Sequence, residues 1–261
     1  MQITTFGSCY ARYVANHFAM LTNSRLVSCT YHNRSDFFVD KYFNNKYTDD
    51  FYDQLIQLLS DSSDESRKID PDSSVVNIIK NQTSHSSGAH RLSSGKNFFQ
   101  CIENTDLIII DNYMDVSAKL FANNDNVVFF NSRDPLVKSY LIEPGHVSLD
   151  HVTELLTANA SFKNFNLIVN YVKRKNPNAF VVFLNFPFNT YFENPTRVKI
   201  TKEFEKLSVG LGSDLVLPSL MVPKQLQTHQ KQHFKAAFYS YVAGRILENI
   251  NFKMALKNKI L

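Results

Sequence analysis

At 261 residues, 44% hydrophobic and 20% charged, the chain has the size and composition of one α/β domain, 1–261, with a continuous core. Only 7 glycines, with no GxGxxG and no Walker pattern, argue against a Gly-rich phosphate loop. A net charge of +4 suits a phosphorylated ligand or an anionic polymer without pointing to nucleic acid, and three cysteines without metal-ligand spacing argue against a disulfide framework or a metal site.

The N-terminal residues lack a secretory signal pattern and no apolar run reaches membrane-spanning length, so the expectation is a reduced, cytoplasmic protein with no membrane span. The first element is a strand over 1–5, followed by Phe6-Gly7-Ser8-Cys9-Tyr10-Ala11-Arg12 and a helix to about Leu21. Ala11, Val14, Ala15, Phe18 and Leu21 form its apolar face. Gly7 permits the turn and Ser8 suits the N-cap. Cys9 falls in the first turn, where free amides and the helix dipole favour a thiolate. Strand, Gly turn and nucleophile at a helix start make a nucleophile elbow; simple packing of a small apolar Cys9 is the alternative.

A second strand is expected over 25–31, with His32, Asn33 and Arg34 beyond its C-terminal end, either at a ligand crevice or in a polar surface loop. An amphipathic helix follows over 47–60, then a Ser/Asp-rich mobile loop at 61–72 and a short helix at 75–80. The polar loop 81–96 carries His85, His90, Arg91 and Lys96, as candidate substrate contacts or as a solvated loop. The clearest buried strand is Asp106-Leu107-Ile108-Ile109-Ile110-Asp111-Asn112. At its end Asn112 is a candidate oxyanion donor and Asp111 a candidate orienting carboxylate, with helix capping as the alternative for both.

A further buried strand is expected at 126–130, with Arg133 and Lys138 after it as candidates, joined by Arg12, to hold a phosphate or carboxylate. Residues 149–175 read as mostly helical with a break near 159–162, and 179–186 as a buried strand. Phe188, Tyr191 and Phe192 in the next loop are placed to stack on a sugar or to pack. A helix at 198–207 and a short strand at 214–217 complete the alternation, which predicts a three-layer α/β/α sandwich with a mainly parallel central sheet, flavodoxin-like in style. The last element, 233–242, reads as a docked helix with Phe234, Ala237, Phe238, Tyr241 and Val242 on its apolar face and His233 at its start.

The Phe-Gly-Ser-Cys-Tyr-Ala stretch, the Asp-Leu-Ile-Ile-Ile-Asp-Asn strand and the closing His-Phe helix resemble the SGNH/GDSL hydrolase superfamily. The first resembles still more the GSCFA family and the capsular-polysaccharide proteins with Cys in the nucleophile position. The resemblance implies Cys9 as nucleophile, Ser8 in the place of the usual aspartate, Asn112 as oxyanion donor and His233 as catalytic base. Gln230 stands where that family has the aspartate that orients the histidine, and His229 is a second candidate base. A thiol depends less than a hydroxyl on that missing acid. The implied reaction is transfer of an acyl group from acyl-CoA, acetyl-CoA as co-substrate, to a sugar or polysaccharide acceptor through a Cys9–His233 dyad. The alternatives are a carboxylesterase or deacetylase of acylated glycan and a non-catalytic glycan- or nucleotide-binding module. The candidate cofactor-binding residues are Arg12, Arg133, Lys138, His90 and Arg91.

Overall fold

The structure is a computed structural model that describes residues 1–60, 74–89, 96–129, 149 and 151–260. The loop expected at 61–72, and His90, Arg91, Arg133 and Lys138, lie outside the described residues.

Among the described residues, five parallel strands form the central sheet: β1 (Gln2–Gly7), β2 (Arg25–Tyr31), β3 (Leu107–Asp111), and two later ones over Phe180–Leu184 and Leu215–Leu217. Between them in sequence lie three two-residue strands, β4 (Phe121–Ala122), β5 (Val127–Val128) and β6 (His151–Val152), which make the later central strands β7 and β8. The spatial order is β2-β1-β3-β7-β8. The chain therefore moves outward from β1 to β2, then returns to β3 on the other side of β1. That reversal opens a crevice at the C-terminal ends of β1 and β3, where open α/β sheets bind ligands.

The helices are α1 (Cys9–Thr22), α2 (Ser35–Tyr42), α3 (Asp50–Ser60), α4 (Ser74–Lys80), α5 (Phe98–Ile102), α6 (Tyr113–Ser117), α7 (Ala158–Lys175), α8 (Pro195–Ser208) and α9 (Ala236–Ile260). Strand alternation divides the core packed on this sheet in two, and a third cluster lies among α3, α4 and the small sheet. Leu107 and Ile109 face a cluster with α1 and α9, whereas Ile108 and Ile110 face one with α2, α5, α7 and α8. This is the three-layer sandwich expected from the β–α alternation. Among the described residues no helix is long and apolar enough to cross a membrane.

Four sequence expectations require correction. The apolar run at 126–130 supplies only β5, which pairs antiparallel with β4 in a separate sheet of order β5-β4-β6. A short apolar run does not reveal which sheet it joins. The helix expected from 149 begins at Ala158, where the Thr157 side chain accepts from Ala160 N, and runs unbroken through 159–162. In the last element the helix starts at Ala236, so His233 precedes it in a turn closed by His233 N donating to the Gln230 carbonyl at 3.0 Å. Ala237 and Tyr241 face outward, and Tyr239, Ala243 and Ile246 join Phe238 and Val242 inside. Helix α2 was not foreseen; Ser35 at its start bonds Asp115 through both its N–H and its hydroxyl.

Candidate active site

The turn after β1 brings the elbow into being. Gly7 has φ +133, and a Cβ there would stand 2.5 Å from the Asp111 carbonyl oxygen. Only glycine lets β1 run this close to the end of β3. Ser8 then caps α1, its Oγ accepting from Tyr10 N at 3.0 Å.

Asp111 is fully buried, and its carboxylate is used to hold this turn together. Oδ2 accepts from Ser8 N, Ser8 Oγ and Ala11 N, each at 2.9 Å, and Oδ1 accepts from Tyr113 N at 2.8 Å. Burial raises the Asp111 pKa while these donors oppose the rise. The expectation of an orienting carboxylate for a histidine is thus corrected: Asp111 orients the elbow. Ser8, engaged as both donor and acceptor, fixes the position of its neighbour Cys9.

These bonds also decide which helix-start amides are available. Of the first N–H groups of α1, Tyr10 N bonds Ser8 Oγ, Ala11 N bonds Asp111 and Arg12 N bonds the Ser8 carbonyl at 3.3 Å. Cys9 N is left beside its own sulfur, with no other acceptor among the described residues. An amide so placed is suited to a developing oxyanion.

The Cys9 thiol is only partly buried in area and lines a cavity of about 790 Å³. Its pKa is nevertheless pushed up to about 11, chiefly by burial; Arg12 opposes the rise, Asp111 adds to it and the Cys9 amide opposes it. The thiolate expected at a helix start is not the resting form, because desolvation outweighs the dipole.

Cys9 Sγ stands 3.9 Å from His32 Nε2. His32 follows the last residue of β2 with φ 60, a left-handed conformation uncommon outside glycine. Its N–H bonds the Gly7 carbonyl at 3.1 Å, tying the end of β2 to the elbow. The ring packs edge-on to Tyr31 and stacks on Phe129, with centroids 4.6 and 5.8 Å apart. Its Nδ1 is buried without a hydrogen-bond partner among the described residues. Burial, with His233 and Arg12 nearby, lowers the His32 pKa to about 3, so the imidazole is neutral. One edge still meets the cavity. Of the three residues expected at this crevice edge, His32 alone lines it. Asn33 bonds the Tyr31 and Asn81 carbonyls, and buried Arg34 pairs with Asp36 and bonds the Ala118 and Glu154 carbonyls.

His233 lines the same cavity, so the fold brings Cys9 and His233 to one pocket across more than two hundred residues. Tyr13, one turn along α1 from Cys9, meets the His233 ring edge-on with centroids 5.8 Å apart. Burial and His229 lower the His233 pKa. No described residue hydrogen-bonds the His233 ring; Gln230 offers its backbone carbonyl to His233 N in place of a side-chain acid. His229 and Gln230 also line the cavity.

Asn112 is fully buried, with Oδ1 accepting from Phe186 N at 2.9 Å and Nδ2 unpartnered among the described residues. It stands at the N-cap of α6 without a side-chain capping bond and does not line the cavity, while the next residue, Tyr113, does line it. Arg12 lies 5.7 Å over the Tyr31 ring and is not part of the cavity wall. His85 sits beside Asp49 and Asp53, away from the cavity. Tyr191 enters the wall, whereas Phe192 is exposed. No group of three metal-ligating side chains occurs among the described residues.

Sequence reasoning did not single out Tyr113 or Arg197 of the cavity wall, and placed His32 without linking it to Cys9. The link is in the register: Gly7 of β1 pairs with Tyr31 of β2, so the residues that follow each emerge side by side.

No family model matches the chain. No curated protein matches it either. Among solved structures it is similar to an acetyl xylan esterase, Est2A, from the rumen bacterium Butyrivibrio proteoclasticus, with TM-score 0.45, 12% identity, and coverage of 97% of this chain and 64% of that one. It is similar to the acetyl xylan esterase AlAXEase, with TM-score 0.40, 10% identity, and coverage of 96% and 100%. A family two carbohydrate esterase from Clostridium thermocellum in complex with cellohexaose gives TM-score 0.41 and 8% identity, with 97% and 64% covered. The chain thus spans 64% of the length of the first and third of these structures.

Proposed function

We propose that the protein is an O-acyltransferase that carries an acyl group on Cys9, taking it from acyl-CoA and giving it to a hydroxyl of a sugar or polysaccharide. The observation that carries this reading is the 3.9 Å contact between Cys9 Sγ and a neutral His32 on the wall of a cavity large enough for a small substrate.

A thiol exchanges readily with a thioester, since one thioester replaces another. The same thiol attacking an alkyl ester must make a more reactive acyl group from a less reactive one. Chemistry at Cys9 therefore fits a thioester donor better than a glycan ester.

In the first half-reaction the Cys9 proton moves to His32 Nε2 as sulfur bonds the acyl carbon. The donor C–S bond breaks and coenzyme A leaves as a thiol, taking the proton back. The high thiol pKa and low imidazole pKa keep the resting pair neutral. In the second half-reaction His233 accepts the proton of the sugar hydroxyl as its oxygen bonds the acyl carbon, the bond from that carbon to Cys9 Sγ breaks, and the departing sulfur takes the proton back from His233. Cys9 N stabilises the oxyanion in both.

Incubation with acetyl-CoA and mono- and oligosaccharide acceptors tests this: an O-acetyl sugar forms, Cys9→Ala abolishes it and His233→Ala slows it by roughly a hundredfold or more. Rapid hydrolysis of an aryl acetate without acceptor, with no transfer to sugar, would instead assign an esterase.

A further inference from the structure

Arg197 is the one cation of the described cavity wall without an acidic partner among the described residues. The third residue of α8, it is set by Asn194, whose side chain accepts from Arg197 N at 3.1 Å. Its guanidinium carbon lies 4.7 Å from the centre of the Tyr191 ring, and one terminal nitrogen donates to the Ser117 carbonyl at 3.1 Å. Nε is buried and has no partner among the described residues. The Tyr113 and Tyr191 hydroxyls, 2.7 Å apart, belong to the same wall, and the Arg197 charge reaches Tyr113. The second cation of the wall, Lys231, is paired with Glu193.

A guanidinium held by stacking and partly desolvated, on a wall whose one described carboxylate, Glu193, is taken by Lys231, is an anion site awaiting its ligand. A planar donor fork matches a carboxylate, and a single uncompensated charge balances a monoanion better than a phosphate dianion. Cys9 lies on the same cavity, so one molecule can present both the anion and the reacting group.

We infer that Arg197 binds a carboxylate on the sugar that accepts the acyl group, so that the acceptor is an acidic sugar of the uronate type. This rests on the transferase reading, and the test separates the two. Calorimetry on the whole chain would compare glucuronate, its methyl ester, glucose and inorganic phosphate as ligands. Glucuronate is expected to bind at least about tenfold more tightly than the ester or glucose, the size of one charge-assisted contact. Arg197→Gln removes that preference, and Arg197→Lys, which keeps the charge without the fork, retains part of it. A Cys9→Ser variant keeps the preference and loses transfer, so absence of transfer with intact glucuronate selectivity counts against the transferase alone. Equal binding of glucose and glucuronate, no binding of either sugar, an unchanged preference in a folded Arg197→Gln, or tighter binding of phosphate than of glucuronate would each overturn the inference.

Discussion

The Cys9 sulfur and the His32 ring nitrogen Nε2 face each other at 3.9 Å, although one heads α1 and the other trails β2. The pairing follows from adjacent parallel strands ending level, with the His32 N–H bound to the Gly7 carbonyl. Sulfur and imidazole are both neutral at rest, which sets the reactivity of the pair.

Alkylation should show this first. With Cys9 pushed up to about 11, its iodoacetamide rate climbs through pH 9 and 10 and is half-maximal near 11. Arg12→Ala shifts the profile to still higher pH, because Arg12 opposes the rise. Cys29, pushed up to about 12, and Cys101 are both buried and should stay largely unmodified in the folded protein. Peptide mass spectrometry across pH reads all three; a Cys9 profile centred near 8 would contradict the assigned burial.

The two histidines should separate by half-reaction. His32→Gln lowers acylation of Cys9 by roughly a hundredfold to ten-thousandfold, the usual contribution of a positioned base. His233→Ala leaves acylation largely intact and slows deacylation onto sugar by a similar factor. Rapid-quench measurement of the two steps distinguishes them, and equal effects of both variants on both steps would remove the division of labour.

Stability should carry a His32 signature at acid pH. Its folded pKa, about 3, is below the ordinary 6.5, so the unfolded chain binds more protons between those values. The associated stability is present above pH 6.5 and is lost as pH falls toward 3, amounting to a few kcal/mol at most. Thermal melts from pH 7 to 4 should fall less steeply for His32→Gln than for the natural chain. Parallel slopes would mean that the ring ionises freely in the fold.

Asp111→Asn tests the scaffold beneath the site. The natural carboxylate accepts four hydrogen bonds, and an amide replaces one acceptor oxygen by a donor facing N–H groups. A loss of about 2–4 kcal/mol in denaturant unfolding is expected. Cys9 alkylation should also quicken as the elbow loosens. A variant of natural stability would show that Asp111 does not hold the turn.

The sheet was legible because its strands announce themselves. Arg25–Tyr31 is bounded by polar residues at both ends, and the unbroken apolar run ending in Asp111 admits little but a central strand. Gly7, Ser8 and Cys9 were legible for the same local reason, since turn, cap and helix-start cysteine are neighbours in sequence. Three things were hidden because they depend on distant partners. The Cys9 pKa is set by burial that no short window shows. Asp111 serves the Ser8 turn rather than an imidazole because β1 and β3 end together. Arg197 reaches the cavity through Tyr191 and Ser117, which belong to other segments.

The most direct measurement is intact-peptide mass spectrometry after mixing the protein with acetyl-CoA alone and then with an acidic sugar. The account predicts one acetyl group on the Cys9 peptide, absent in His32→Gln at short times, and its disappearance as O-acetyl sugar accumulates. Formation of O-acetyl sugar by a Cys9→Ala variant at the natural rate, with no acetyl group ever found on Cys9, would contradict it.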